Sequence, residues 1–129
     1  MRQPRLLLID DEPALADFLA SAARECGFEP HITEQDEDFR AQFLADPPEM
    51  VALDLGMPGM DGVELLRFLA EQNYSAPVLI VSGFDRRVLE SAFRLGEALG
   101  LNMAGPVEKP VRLEDLETTL NELKATLVQ

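Results

Sequence analysis

The sequence predicts an α/β fold in which a parallel sheet is covered by helices on both faces. Three observations carry this. Unbroken apolar runs at Leu6–Ile9, Met50–Leu53 and Pro77–Val81 read as strands buried on both sides. Stretches with apolar residues at helical spacing alternate with those runs. Glycine, proline and acidic residues gather at the junctions. Parallel strands need crossover connections, and helices supply them.

The elements follow in order. After the first run, Leu15, Phe18, Leu19, Ala22, Ala23 and Cys26 mark a helix from Pro13 to Cys26. Pro13 suits its first turn and Gly27 its stop. Phe28–Thr33 is a weaker second strand. A second helix is expected from about Glu34 to Ala45, with Phe39, Phe43 and Leu44 inward, ended by Asp46-Pro47-Pro48. The Met50–Leu53 strand runs into Asp54. A turn-rich loop follows, and Asp61 could cap a third helix carrying Val63, Leu66 and Leu69, ending near Asn73. The Pro77–Val81 strand closes on Ser82-Gly83. A fourth helix is expected from Asp85 to near Gly100. Met103–Val107 is a poor strand by propensity, because it contains Gly105 and Pro106. Leu113, Leu116, Leu120, Leu123 and Leu127 mark the last helix.

Composition narrows the function. The 129 residues fit one domain, 1–129, with a real core, and the 47% apolar content argues against disorder. The net charge of −13 argues against nucleic acid and anionic membrane surfaces, since phosphates need clustered Lys and Arg. It leaves room for a cation site or for partners with basic patches. Cys26 is the only cysteine, which excludes an internal disulfide and a multi-cysteine metal site. No apolar run approaches a membrane span, and the first run is too short for a signal peptide. A soluble cytoplasmic protein is expected.

In open α/β sheets, sites form beyond the carboxyl ends of the strands, where strand order switches. Those ends carry Asp10-Asp11-Glu12, Asp54, Ser82-Gly83 and Glu108-Lys109-Pro110. Each residue alone has a plain reading, as a helix cap or a solvated loop residue. Together they gather three aspartates, a hydroxyl and an ammonium on one edge. Neighbouring carboxylates repel unless a cation joins them. Mg²⁺ takes oxygen ligands from one or two carboxylates, water and phosphate. An aspartate beside it can act as a nucleophile toward phosphorus. Ser82 can donate to a phosphoryl oxygen, and Lys109 adds a point charge.

These residues carry a resemblance. Leu8-Ile9-Asp10-Asp11-Glu12, the run Leu53-Asp54-Leu55-Gly56-Met57-Pro58-Gly59-Met60-Asp61-Gly62, Ser82-Gly83 and Lys109-Pro110 resemble the receiver domain of bacterial two-component response regulators. The likeness runs from Arg5 to about Leu127. It implies a flavodoxin-like (βα)5 three-layer sandwich with strand order 2-1-3-4-5. It implies that Asp54 accepts a phosphoryl group from a sensor histidine kinase or a histidine phosphotransfer protein. Asp10, Asp11, Asp54 and the backbone carbonyl of Gly56 would hold Mg²⁺. Ser82 would move toward the phosphoryl group, and Lys109 would pair with it. The Lys109-Pro110 bond would be cis. The module would switch a downstream output domain or protein, and would modify itself rather than turn over a substrate.

The sequence also departs from that family. A Tyr or Phe usually stands three residues before the lysine, where this chain has Pro106. The segment from Ser82 to Lys109 is longer than usual, so an extended fourth helix or a reshaped loop is expected. The readout is then expected within residues 84–101. This form resembles receivers found ahead of cyclic-di-GMP phosphodiesterase domains. The missing aromatic motivates an alternative, a receiver-like interaction scaffold that works without phosphorylation. A small phosphatase is disfavoured, because Gly56 stands where such enzymes place a second acid. A flavin carrier is disfavoured by the 6% aromatic content.

Other features have simpler readings. His31 is a surface residue with no companion for a metal site. Cys26 is a small core residue. Met57 and Met60 pack or lie exposed at the turn. The acids of Glu34–Asp38 suit a solvated helix start. The leucines of the last helix suit sheet packing, with a coiled-coil seam or a homodimer as the alternative.

Overall fold

A computed structural model describes residues 3–54, 62–82 and 86–127. The chain alternates β1 (Arg5–Ile9), α1 (Pro13–Glu25), β2 (Glu29–Thr33), α2 (Asp36–Ala45) and β3 (Met50–Asp54). It continues with α3 (Gly62–Glu71), β4 (Pro77–Ser82), α4 (Arg86–Ala98), β5 (Asn102–Glu108) and α5 (Leu113–Leu127). All strand pairings are parallel, in the order β2-β1-β3-β4-β5. The expected α/β order 2-1-3-4-5 is therefore present. The chain leaves β1 for β2 on one side and returns to β3 on the other. That switch opens a crevice between the ends of β1 and β3.

Strand alternation divides the core into two layers. Leu7, Ile9, Val51, Leu53, Val78 and Ile80 point to one face, where Phe39 and Phe43 of α2, Leu65, Leu66 and Leu69 of α3, and Leu89 of α4 cover them. Leu6, Leu8, Met50, Ala52, Leu79 and Val81 point to the other, under Ala16, Leu19 and Ala23 of α1 and Leu116 and Leu120 of α5. Both faces of β1, β3 and β4 are buried, which explains why those strands are unbroken apolar runs. Each edge strand carries a proline, Pro30 in β2 and Pro106 in β5, which blunts pairing with another sheet.

Three local expectations change. Leu44 is exposed, because it sits about 100° around the helix from Phe43 and outside the Phe39–Phe43 stripe. The second helix begins at Asp36, with Gln35 still extended at φ −124° and ψ 153°. Leu113 is also exposed, so the inward face of α5 is built on Leu116 and Leu120, with Leu123 and Leu127 partly covered. The weak last strand does form, through seven residues, but with a register irregularity opposite the Leu79–Val81 stretch. Lys109-Pro110 is cis, as the resemblance implies, and Gly105-Pro106 is cis as well.

Candidate functional site

The site is built from three strand ends. β1 stops at Ile9, and Asp10 follows with its N–H donated to Thr33 O at 3.1 Å. Thr33 is itself fixed, because its Oγ1 donates to Leu8 O at 2.8 Å inside the protein. Asp10 Oδ1 accepts the N–H of Glu12 at 2.9 Å, which turns the chain toward α1. Asp54 is the last residue of β3 and is 2% exposed. Asp10, Asp11 and Asp54 each offer an oxygen, and these atoms all lie within 4.8 Å of one another. Asp11 is exposed, so the group opens to solvent on one side.

Lys109 enters from beyond β5. Its Nζ donates to Asp54 Oδ2 at 3.0 Å and lies 3.9 Å from Glu12 Oε1. Among the described residues, this ammonium thus borders a cluster of three aspartates. Burial pushes the Asp10 carboxyl up to about 6 from an ordinary value of 3.8. The Glu12 N–H opposes that rise, and the charge of Asp54 adds to it. Among the described residues, Asp10 Oδ2 is fully buried with no hydrogen-bond donor beside it. Such an oxygen is expensive unless something joins it.

That set fits a hard divalent cation. The donors are carboxylate oxygens, their negative charge exceeds what Lys109 neutralises, and one buried oxygen lacks a partner. The same arrangement suits an aspartate that reacts as a nucleophile with an incoming phosphoryl group. Asp54 lies at the floor of the cluster, with the Lys109 ammonium beside it.

Four of the expected residues are thus brought together: Asp10, Asp11, Asp54 and Lys109. Gly56 lies outside the described residues. Ser82 ends β4 in register with Glu108, and only its backbone is described. Two contributors went unassigned in the sequence. Thr33 buttresses Asp10 from the neighbouring strand, a contact set by register and invisible in the local pattern. Glu108 Oε1 accepts from Arg86 Nε at 3.1 Å and lies 3.0 Å from Arg86 Nη2, beside the lysine. Among the described residues, no helix is long and apolar enough to cross a membrane.

Comparison with known proteins agrees with this geometry. The sequence profile of the response regulator receiver domain matches residues 6–121. The transcriptional regulatory protein TrcR of Mycobacterium tuberculosis is 30% identical over 119 residues, covering 92% of this chain and 44% of TrcR. The two-component response regulator PhoP of Pseudomonas aeruginosa is 30% identical over 122 residues, covering 92% of this chain and 51% of PhoP. The chain therefore spans about half the length of these relatives. A response regulator structure from Colwellia psychrerythraea superposes with a TM-score of 0.80 at 30% identity, covering 96% of this chain and 98% of that one. The receiver domain of the Francisella response regulator 1452 superposes with a TM-score of 0.72 at 25% identity, over 97% and 99% of the two chains. With a family profile matched over most of its length on a sheet of the expected order, this chain belongs to the response regulator receiver domain family.

Proposed function

We propose that the chain is a phosphoacceptor module that takes a phosphoryl group on Asp54 and changes its surface in response. The observation that carries this is the buried Asp54 carboxylate, clustered with Asp10 and Asp11 and paired with Lys109 at 3.0 Å. A phosphohistidine on a sensor histidine kinase or a histidine phosphotransfer protein is the natural donor. A carboxylate oxygen of Asp54 attacks phosphorus, a P–O bond forms and the P–N bond breaks. The electron pair leaves with the imidazole nitrogen. The lysine then follows the charge from the carboxylate to the phosphoryl oxygens, and Ser82 supplies a hydroxyl donor to them.

Receiver domains generally bind Mg²⁺, and Asp10, Asp11 and Asp54 with the Gly56 carbonyl would hold it here. When bound, the ion neutralises the charge that the three carboxylates and the phosphoryl group share. The chain acts on itself and is not a turnover enzyme. The phosphorylated state is selected by a downstream output domain or protein that binds it better. A cytoplasmic setting follows from such a partner kinase. The test is labelling with acetyl phosphate in Mg²⁺. Label is expected on wild type and absent from Asp54→Asn; an unlabelled wild type defeats the reading.

One observation favours a second reading. Pro106 is exposed on an irregular edge strand where an aromatic ring usually stands. A scaffold that binds its partner without phosphorylation needs no such ring. Equal partner affinity for Asp54→Asn, Asp54→Glu and the phosphorylated protein would establish it.

A further inference from the structure

An ion pair at the end of β5 borders the site without touching Asp54. Its origin is the irregular register. β4 and β5 pair regularly at Leu79 with Ala104 and again at Val81 with Val107. Ile80 therefore stands opposite two residues, Gly105 and Pro106, which is the geometry of a bulge. Ala104 and Val107 are three apart, so a regular strand would send them to opposite faces. The extra residue puts both on the α1 and α5 side of the sheet. Glu108 then falls on the opposite side, where α4 begins, and meets Arg86.

The bulge is written into the sequence. Gly105 has φ +85°, and a Cβ there would stand 3.0 Å from Val107 N and 3.3 Å from Ile80 O. Only glycine fits that conformation against backbone on two sides. The pair it creates brings two guanidinium nitrogens to one carboxylate oxygen, one of them hydrogen-bonded. Its position is what matters. Glu108 precedes Lys109 directly and lies in register with Ser82, while Arg86 opens α4 four residues after Ser82. The pair thus ties the start of α4 to the peptide that carries the lysine.

We propose that Arg86 and Glu108 are positioning residues, whose ion pair fixes the end of β5 so that Lys109 stays aimed at Asp54. This rests on the phosphoacceptor reading above. Arg86 is 71% and Glu108 49% exposed, so the effect is modest. Exposed pairs of this kind are worth about two- to fivefold in an equilibrium or rate.

The test is a double-mutant cycle on the full chain, read as the rate of labelling by acetyl phosphate in Mg²⁺ at low salt. Arg86→Ala should slow labelling about two- to fivefold more in the wild-type background than in Glu108→Gln. The cycle cancels the direct effect of each charge on the incoming anion. Arg86→Lys should recover part of the rate. At about 1 M salt, where the screening length falls to about 3 Å, the ratio of wild type to Arg86→Ala should approach one. Equal slowing in both backgrounds, no slowing in either, or a ratio indifferent to salt overturns the proposal. A second readout is the Lys109 ε-methylene resonance in metal-free protein. Arg86→Ala should shift it in wild type and not in Glu108→Gln. If wild type takes no label, the phosphoacceptor reading fails, and this resonance alone decides the pair; indifference to Arg86→Ala then overturns it.

Discussion

The two ends of the sheet hold charge in opposite ways. At the amino-terminal end, Arg5 is surrounded by acceptors. Its guanidinium donates to Asp46 O at 2.9 Å and to Pro47 O, pairs with the Asp46 carboxylate, and lies 3.6 Å from Glu49 Oε2. Its own N–H donates to Glu49 Oε2 at 2.7 Å. Nearby, Tyr74 Oη donates to Pro48 O at 2.9 Å, and burial pushes its hydroxyl well above the usual range. At the carboxyl-terminal end, three aspartates cluster beside one lysine, and among the described residues a buried oxygen of Asp10 has no donor. At the first end a guanidinium meets carboxylates and carbonyls of this chain, and its Nε, like Asp10 Oδ2, is buried without a hydrogen bond among the described residues. At the second, carboxylates crowd round a single ammonium among the described residues. That difference separates a structural charge cluster from a functional one better than the count of charges does.

The largest effect that tests this contrast is on chemistry. Lys109→Ala should slow acetyl phosphate labelling by about a hundredfold, because it removes a donor aimed at developing charge. Folding should survive, as judged by a cooperative thermal transition. A rate within a few-fold of wild type would take Lys109 out of the reaction.

The next concerns stability without metal. The Asp10 carboxyl is raised to about 6, above its ordinary 3.8, so the folded state prefers it protonated. The penalty is absent below about pH 4, grows as pH rises, and is complete above about pH 6. In chelator at pH 7.5, Asp10→Asn should therefore be more stable than wild type by on the order of 3 kcal/mol. The gap should close toward pH 4. Saturating Mg²⁺ should stabilise wild type by ligand linkage and leave Asp10→Asn nearly unmoved. Denaturant melts at two pH values check it. A wild type no less stable than Asp10→Asn in chelator would remove the imbalance on which the contrast rests.

At the opposite end the signs reverse. Arg5→Ala should lose about 2 kcal/mol, because it removes two hydrogen bonds to backbone oxygens and the ion pair with Asp46. Labelling rate and Mg²⁺ dependence should stay as in wild type. The smallest effect is Tyr74→Phe, which should cost about 1 kcal/mol through the lost bond to Pro48 O. Its ring packs edge-on against Phe43 at 5.1 Å and would remain. A change in labelling from either variant would mean that the two ends are coupled.

Much of this was legible in the chain. The runs at Leu6–Ile9 and Met50–Leu53 are strands because nothing polar interrupts them, and both faces are indeed buried. The quoted motifs pointed to Asp10, Asp11, Asp54 and Lys109, and the fold brings these four together. What local pattern missed shares one cause. Leu44 reads as inward because it is apolar, but helix phase turns it out. Thr33 reads as an ordinary strand residue, yet pairing across to β1 makes it the support of Asp10.

The sequence by itself determined the alternation of strands and helices, the family, and which side chains stand at the strand ends. Those follow from hydrophobic period and turn chemistry, which act over a few residues. Tertiary structure alone decided that Asp10 is buried with an unsatisfied oxygen while Asp11, its neighbour in the chain, faces solvent. It also decided that Arg5 meets backbone carbonyls and acids at one end while Lys109 meets a cluster of carboxylates at the other, and that the bulge at Gly105 and Pro106 delivers Glu108 to Arg86. The reason is that charge and burial depend on which strands lie side by side and in what register, and register is a property of the assembled sheet.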